Sequence, residues 1–295
     1  MKQFFLIDWF AFLYRAYYAF PEMRNDAGKN VNAVYGFLRM MLKRVVQKPD
    51  FFMIAWDWPV KTFRHEMFPE YKATRKKMED DFKDQIPLIQ TIVQELWIPS
   101  LIMPWYEADD VLANVIWRFK EHEDVVFQLF TGDKDLKQLL DDRVYVVSPD
   151  KEIPYKKADF LRDYGFEPAL IVDYLALLGD SADNVKGVVG IGEKKALTLV
   201  QEYGSIEHMY EQLSQISVSV RNILEAGKED AFQSKRLIEL AKIDMSDKKL
   251  ENFAFGLDLA LWMEVLGDRY HFSSLKKTLS EMKKEAEKPQ QLWLF

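Results

Sequence analysis

The amino-acid sequence predicts an α/β fold: a mostly parallel central sheet flanked by helices, continued by a helical region. Three observations predict it. Residues 1–150 alternate short aromatic or β-branched runs with longer amphipathic stretches, the pattern of strand–helix–strand units. The runs FFLI, FFMIAW and VVFQLF are apolar at nearly every position, as strands covered on both faces are. From about residue 155 such runs fade and the periodicity becomes helical.

Taken in order, strands are expected over 3–7, 51–56, 125–130 and 144–148. The stretch 107–120 reads as a helix with Val111, Leu112, Val115, Ile116 and Phe119 on one face. Its first turn carries Glu107, Asp109 and Asp110, where negative charge suits the helix dipole. Glu107 and Asp110 share a face there, while Asp109 points elsewhere. Residues 168–178 (PALIVDYLALL) form an apolar helix stopped by Gly179, and helices continue to about residue 284. The stretch KKEAEKPQ is charged and broken by proline, the composition of a flexible tether, and QLWLF follows it. No internal repeat at solenoid spacing is present.

The 295 residues, 48% of them hydrophobic, suffice for one large domain or two modest ones with a core that needs no staples. The absence of cysteine excludes a disulfide framework and thiolate zinc sites, and suits a reducing cytosol. FFLI is too short for a secretory signal, and no stretch approaches the roughly 18 apolar residues that cross a bilayer. A net charge of −7 looks wrong for a nucleic-acid binder, but local distribution decides binding. Lys61, Arg64, Lys72, Arg75, Lys76 and Lys77 crowd one segment, opposed only by Glu66 and Glu70.

The acidic residues carry the chemistry. Asp8, Asp57, Glu107, Asp109, Asp110, Asp133, Asp135, Asp180 and Asp183 recur where a fold could gather them, several just after an expected strand. Ligands of open α/β sheets collect beyond the carboxyl ends of the strands, so acids leaving several strands would face one another. Such carboxylates repel, and some stay protonated unless a cation neutralises them. One acid after a strand is an ordinary loop end; EADD, TGDKD and GDSADN together are harder to dismiss. Only four histidines occur, none near these motifs, and oxygen ligands alone favour Mg2+ or Mn2+ over zinc. Two such ions about 4 Å apart can clamp the attacking water and the leaving oxygen of a phosphodiester.

The run GVVGIG at 187–192 has no strand before it, so it is no dinucleotide fingerprint. Its helical flanks suit a helix–hairpin–helix over 184–200 instead. Gly187, Gly190 and Gly192 would let the backbone approach a phosphate, the following helix N-terminus attracts anions, and Lys194 and Lys195 add charge. The bland alternative is a tight helix turn.

The segments LIDWFAFLYRAYYAF, AVYGFLRM, KTFRHEMFPEYKATR, YEADDVLANV, TGDKDLKQLL, YLALLGDSADNVKGVVGIGEKKA and YHFSSLKK span residues 5–277. In that order they resemble the 5′-nuclease (flap endonuclease) family, and within it the N-terminal 5′-3′ exonuclease domain of bacterial DNA polymerase I. No polymerase region follows, so the resemblance is to a free-standing member. It implies a PIN-like nuclease core over 1–165 with a helical arch about 66–90, a helical region over 166–284, and a tail over 285–295.

By the same resemblance the nine acids are the metal-site acids. Asp8, Asp57, Glu107 and Asp109 would lie nearer one ion; Asp133, Asp135, Asp180 and Asp183 would lie nearer the other. Lys72 and Arg75 resemble the basic pair at the foot of the arch, with Lys72 on the scissile phosphate. Tyr71 would stack on a terminal base, and Arg64 and Lys76 would add DNA contacts. The bland reading of this stretch is a solvated charged helix with Tyr71 in the core. The resemblance adds K+ at the hairpin carbonyls. Two positions depart from the family pattern: Trp9 stands where a glycine is usual and Ala11 where a small hydroxyl residue is. Gln291-Leu292-Trp293-Leu294-Phe295 resembles the bacterial sliding-clamp motif, with Gln291 at the pocket rim and Leu292, Leu294 and Phe295 filling apolar pockets.

The activity implied is a structure-specific, metal-dependent 5′-3′ exonuclease or 5′-flap endonuclease. Its substrate would be branched or nicked duplex DNA with a 5′ single strand, RNA primer–DNA included. The setting would be primer removal and repair by a monomer in the cytoplasm, at the nucleoid. Two rivals stand beside it: a non-catalytic branched-DNA-binding protein and a ribonuclease of the related fold.

Overall fold

The computed structural model describes residues 1–149 and 151–287. In chain order, β1 (Lys2–Asp8) leads directly into α1 (Trp9–Ala19), followed by α2 (Asn32–Val45), β2 (Phe51–Trp56), α3 (Phe63–Met67), α4 (Asp80–Lys83) and α5 (Ile86–Glu95). Then come β3 (Ser100–Ile102), α6 (Ala108–Phe119), β4 (Val125–Phe130) and β5 (Val144–Val147). Beyond them lie α7 (Lys157–Tyr164), α8 (Ile171–Leu178), α9 (Glu193–Tyr203), α10 (Ile206–Glu211), α11 (Val218–Ala226), α12 (Lys228–Ile238), α13 (Leu259–Trp262) and α14 (Ser273–Ala286).

The strands form one sheet in the order β3-β2-β1-β4-β5, and the pairs β2–β3, β1–β4 and β4–β5 are parallel. Parallel pairing brings the carboxyl ends of these strands to the same edge. In the β1–β4 register Ile7 faces Phe130, so Asp8 and Thr131 leave the sheet side by side. β1 is apolar because both its faces are covered, Phe4, Phe5, Leu6 and Ile7 being fully buried, while β4 buries Phe127 and Leu129 on one face and leaves Val126 and Gln128 partly exposed on the other.

The chain forms two compact units. The first gathers Met1–Ala11, Met53–Lys77 and Ser100–Leu250, and contains all nine acids named above. The second gathers Phe12–Phe52, Met78–Pro99 and the chain from Glu251 onward, around buried Phe12, Phe37, Phe82, Phe253 and Trp262. Within it the Tyr17 ring stacks on Phe82 at 4.4 Å between centroids. Among the described residues no helix is long and apolar enough to cross a membrane.

Several boundaries differ from expectation. β3 was not foreseen: it is three residues long, lies at the sheet edge, and leaves Ile102 41% exposed, so it carries no buried apolar run. α6 starts at Ala108, with Glu107 as its N-cap rather than a first-turn residue. The apolar helix over 168–178 opens with a 3-10 turn at Pro168–Leu170 before α8, and α14 runs on to Ala286. The span 66–90 holds the end of α3, turns, α4 and the start of α5, not one continuous helix.

Candidate functional site

The sheet edge supplies the first acids. Asp8 ends β1, Asp57 follows β2 directly, and Asp133 lies just past β4. Asp8 Oδ1 accepts the backbone N–H groups of Phe10 (3.1 Å) and Ala11 (3.4 Å), which fixes it at the start of α1. Its Oδ2 accepts the Thr131 hydroxyl at 2.8 Å. Thr131 Oγ1 in turn accepts the Asp133 N–H at 2.9 Å, and Asp133 Oδ1 accepts the Asp135 N–H at 2.8 Å. One hydrogen-bonded chain thus sets three acids from two strands. Asp57 is held from both sides: its Oδ1 accepts the Ala108 N–H at 2.9 Å and its Oδ2 the Trp9 Nε1–H at 2.8 Å. Trp9, the unusual residue after Asp8, is buried with its ring 5.2 Å from that of Trp56, and its indole positions a carboxylate.

Glu107, Asp180 and Asp183 meet cations. Glu107 Oε1 accepts from Lys72 Nζ at 2.6 Å, and that ammonium lies 3.8 Å from Asp183. Arg75 Nε donates to Asp183 at 2.9 Å, and Lys134 Nζ sits 3.0 Å from Asp180. The turn that carries Lys72 is tied down by its N–H to the Asp183 carbonyl (2.9 Å) and by Asn184 Nδ2 to the Glu70 carbonyl (2.8 Å). The Asp180–Val185 loop closes on itself through paired backbone bonds of 2.8 and 2.7 Å.

Burial and mutual repulsion dominate the charge states. Burial, joined by repulsion from Asp57 and Asp133 and opposed by the Thr131 bond, pushes the Asp8 carboxyl up to about 7. Burial and then Asp133 and Asp8 raise Asp109 well above the usual carboxylate range; burial and then Asp133 do the same to Asp135. Asp133 is raised by burial despite the Asp135 N–H. Glu107 goes the other way: burial alone would raise it, but Lys72 and Arg64 outweigh burial and hold it low. Among the described residues no three His, Asp or Glu side chains converge tightly enough to hold an ion as they stand. The donor set still fits a hard cation. It is all oxygen, four of its acids are raised by burial and by one another's charge, and Asp135 Oδ1 is buried without a hydrogen-bond partner. A bound ion would compete with Lys72 for Glu107 and with Lys134 for Asp180.

Three expectations are corrected. Asp110 is fully buried, its oxygens taken by Arg64 at 2.6 and 2.8 Å and by the N–H groups of Glu107 (3.2 Å) and Ala241 (2.8 Å). Saturated in this way, it belongs to the core and not to the metal set. Arg64 is its partner rather than a DNA contact: 2% exposed, it also donates to the carbonyls of Leu237 (2.8 Å) and Glu239 (3.0 Å). Tyr71 is 5% exposed and its hydroxyl donates to Glu107 (3.2 Å) and Asp183 (3.3 Å), so it offers no open face to a base. Sequence reasoning missed Thr131, Trp9 and Lys134 as positioning residues. The TGDKD motif contained two of them without revealing their bonds.

The glycine run forms a tight hairpin leading into α9. Gly187 has φ +64°, and a Cβ there would lie 2.4 Å from the Gly179 nitrogen, so only glycine allows the close backbone approach. Gly190 has φ +94°, and its carbonyl accepts from Lys195 Nζ at 3.0 Å. Gly192 is the N-cap of α9, whose first turn exposes Lys194 and Lys195. Lys76 is exposed as well. Gln291, Leu292, Leu294 and Phe295 lie outside the described residues.

Family models match in two parts: "5′-3′ exonuclease, N-terminal resolvase-like domain" over residues 3–165 and "5′-3′ exonuclease, C-terminal SAM fold" over 166–256. A 5′-3′ exonuclease of Aquifex aeolicus is 36% identical over 255 residues, covering 85% of this chain and 87% of that protein. DNA polymerase I of Bacillus subtilis is 34% identical over 99% of this chain, which spans only 34% of the polymerase. Among solved structures, the zinc-bound T5 5′-exonuclease superposes with a TM-score of 0.67 at 20% identity, covering 95% of this chain and 99% of that one. The bacteriophage T5 D15 flap endonuclease in a pseudo-enzyme–product complex with DNA and metal ions gives 0.66 at 19% identity, covering 96% and 100%. At these identities the structures share the fold.

Proposed function

The chain belongs to the 5′-3′ exonuclease family, and from that premise we propose that it is a structure-specific, metal-dependent nuclease. Its bond of choice is a phosphodiester near the junction of a 5′ single strand with duplex DNA. The observation that carries this reading is the group of buried and half-buried carboxylates gathered at one sheet edge, raised by burial and mutual repulsion and bordered by Lys72 and Arg75. Asp8, Asp57, Glu107 and Asp109 would hold one Mg2+ or Mn2+ ion; Asp133, Asp135, Asp180 and Asp183 would hold a second. Such ions supply an activated water and neutralise charge on the phosphate.

The protein's own groups do the rest. Lys72 and Arg75 turn from Glu107 and Asp183 to the scissile phosphate and stabilise the charge developing on it. Trp9 and Thr131 keep Asp57 and Asp8 aimed while that happens. The hairpin at Gly187–Gly192 and the N-terminus of α9 take a duplex phosphate, with Lys194 beside it and K+ on the hairpin carbonyls. QLWLF tethers the enzyme to the bacterial sliding clamp, which raises its effective concentration at nicks. Primer removal and repair by a monomer in the bacterial cytoplasm, at the nucleoid, complete the reading.

The test is Mg2+-dependent cleavage of end-labelled 5′-flap, nicked and single-stranded DNA, with an RNA flap alongside. Asp133→Asn should lose cleavage yet bind flap DNA as the natural protein does. Near-normal turnover by Asp133→Asn would refute the metal role. Binding without cleavage by the natural protein would favour a non-catalytic branched-DNA binder, and a preference for the RNA flap would favour a ribonuclease.

A further inference from the structure

A cavity of about 420 Å³ opens at the carboxyl ends of β4 and β5, and Asp133 forms part of its wall. Asp133 is the one member of the nine acids in its lining among the described residues, and Asp159 is the lining's other carboxylate. The rest is of a different character: Lys137, Lys151 and Arg162 bring positive charge, and Ile153, Pro154 and Tyr155 bring apolar surface. Arg162 is neutralised by Asp159 at 2.8 Å and Asp163 at 3.1 Å. Lys137 is not. Its ammonium lies 5.2 and 5.3 Å from the ring centroids of Tyr155 and Tyr164, donates to the Tyr164 hydroxyl at 3.4 Å, and meets no carboxylate among the described residues. The Tyr155 ring beneath it is fixed by its hydroxyl, which donates to Asp163 at 2.8 Å. Ile153 stands 82% exposed at the rim, an apolar side chain with nothing over it.

An unneutralised ammonium and an uncovered apolar edge in one cavity, beside the acids that would hold the metal ions at a reacting phosphate, match the two halves of a nucleotide. We propose that this cavity holds one unpaired nucleotide of the cleaved strand, the one immediately 5′ of the scissile bond. Its phosphate lies on Lys137 and Lys151 and its base against Ile153 and Pro154. The inference rests on the nuclease reading above and adds a subsite to it. The size supports a single nucleotide: ligand sites run from about 300 to 1,000 Å³, and this one is near the lower end, too small for a stacked base pair. An unpaired nucleotide belongs to the single-strand side of a junction, which for a 5′-nuclease lies 5′ of the cut.

Two measurements test it. In steady-state cleavage of a 5′-flap substrate, Lys137→Met and Lys151→Ala should each raise KM about tenfold, the loss of one charge-assisted phosphate contact, with kcat within about twofold. Methionine keeps the packing over the tyrosine rings. Each variant should also lower the slope of log affinity against log salt by about 0.7 for flap DNA and leave blunt duplex binding unchanged. A natural enzyme that cuts, beside two variants with its KM and salt slope, overturns the subsite and spares the nuclease reading. The second measurement needs no turnover. In EDTA, 4-thiothymidine placed immediately 5′ of the junction should photo-cross-link to the peptide containing Tyr155. Cross-linking confined to other peptides overturns the assignment, whether or not the enzyme cuts or Lys137→Met folds.

Discussion

Replacing Arg64 by methionine separates a structural role from a DNA contact. The guanidinium is 2% exposed, Asp110 is fully buried, and the two meet at 2.6 and 2.8 Å. Two more of its donors serve the Leu237 and Glu239 carbonyls and Nη1 also lies 3.3 Å from Glu107, so the loss strands the buried Asp110 carboxylate and two carbonyls and leaves Glu107 to Lys72. Breaking one side of a buried pair costs about 3–5 kcal/mol. With a urea m-value near 3 kcal/mol/M, that lowers the unfolding midpoint by about 1–1.7 M. Adding Asp110→Asn to Arg64→Met should recover part of the loss, because the stranded charge is gone, giving a coupling of about 1–3 kcal/mol in the cycle. DNA affinity of the folded variant should change less than about twofold, far under one phosphate contact. An unchanged midpoint with a salt slope lower by about 0.9 would show that Arg64 touches DNA and that the reasoning is wrong.

Gly187→Ala, with φ +64° and a Cβ 2.4 Å from Gly179 N, should destabilise by about 1–3 kcal/mol and weaken duplex binding. Gly192→Ala, where nothing lies within 4 Å of the added Cβ, should lose only the roughly 0.5–1 kcal/mol of a poorer N-cap; equal losses in both would refute the close-approach argument. Asp8 is raised in the folded state from 3.8 to about 7, so the folded protein holds protons that the unfolded chain has released. Metal-free stability should therefore fall as pH climbs from about 4 to about 7, and Mg2+ should reverse the fall with proton release in calorimetry; a flat profile in chelator would sink this. Deleting residues 291–295 should abolish binding to the sliding clamp while leaving flap cleavage on free DNA intact, and an unchanged clamp affinity would end that reading.

Strands β1 and β2 were legible because burial on both faces writes itself as an apolar run, β4 and β5 because alternate positions are buried and apolar along them, and α6 because one apolar face repeats along it. β3 was not, since an edge strand of three residues has no pattern to repeat. At the site, spacing could bring the acids to one edge but could not say which of them a cation inside the protein already claims. Asp109 and Asp110 are neighbours in sequence with opposite fates. Asp109 is raised by burial and then by its acidic neighbours Asp133 and Asp8, while Asp110 turns to Arg64 and to the Ala241 N–H, 131 residues away. Arg64 and Lys72 likewise sit in one basic stretch. Burial by the 237–239 segment makes the first a core residue that touches Glu107 only from behind Asp110, at 3.3 Å, while the second reaches both Glu107 and Asp183.

That difference explains why a protein with a net charge of −7 can handle a polyanion. Lys72 is held in a left-handed backbone conformation, φ 58°, which costs a non-glycine residue about 1–2 kcal/mol, by bonds to the same loop that carries Asp183. Its ammonium reaches Glu107 and Asp183 from there, and burial fails to neutralise it because their charges hold it protonated. The acids therefore keep a full positive charge in a place where a lysine alone would shed it. When their own charge is met by another cation, the ammonium is already beside them and, in the function proposed above, would exchange a carboxylate for a phosphate. The acidic cluster and the basic turn are thus one electrostatic unit, and a change to either should be read in the behaviour of both.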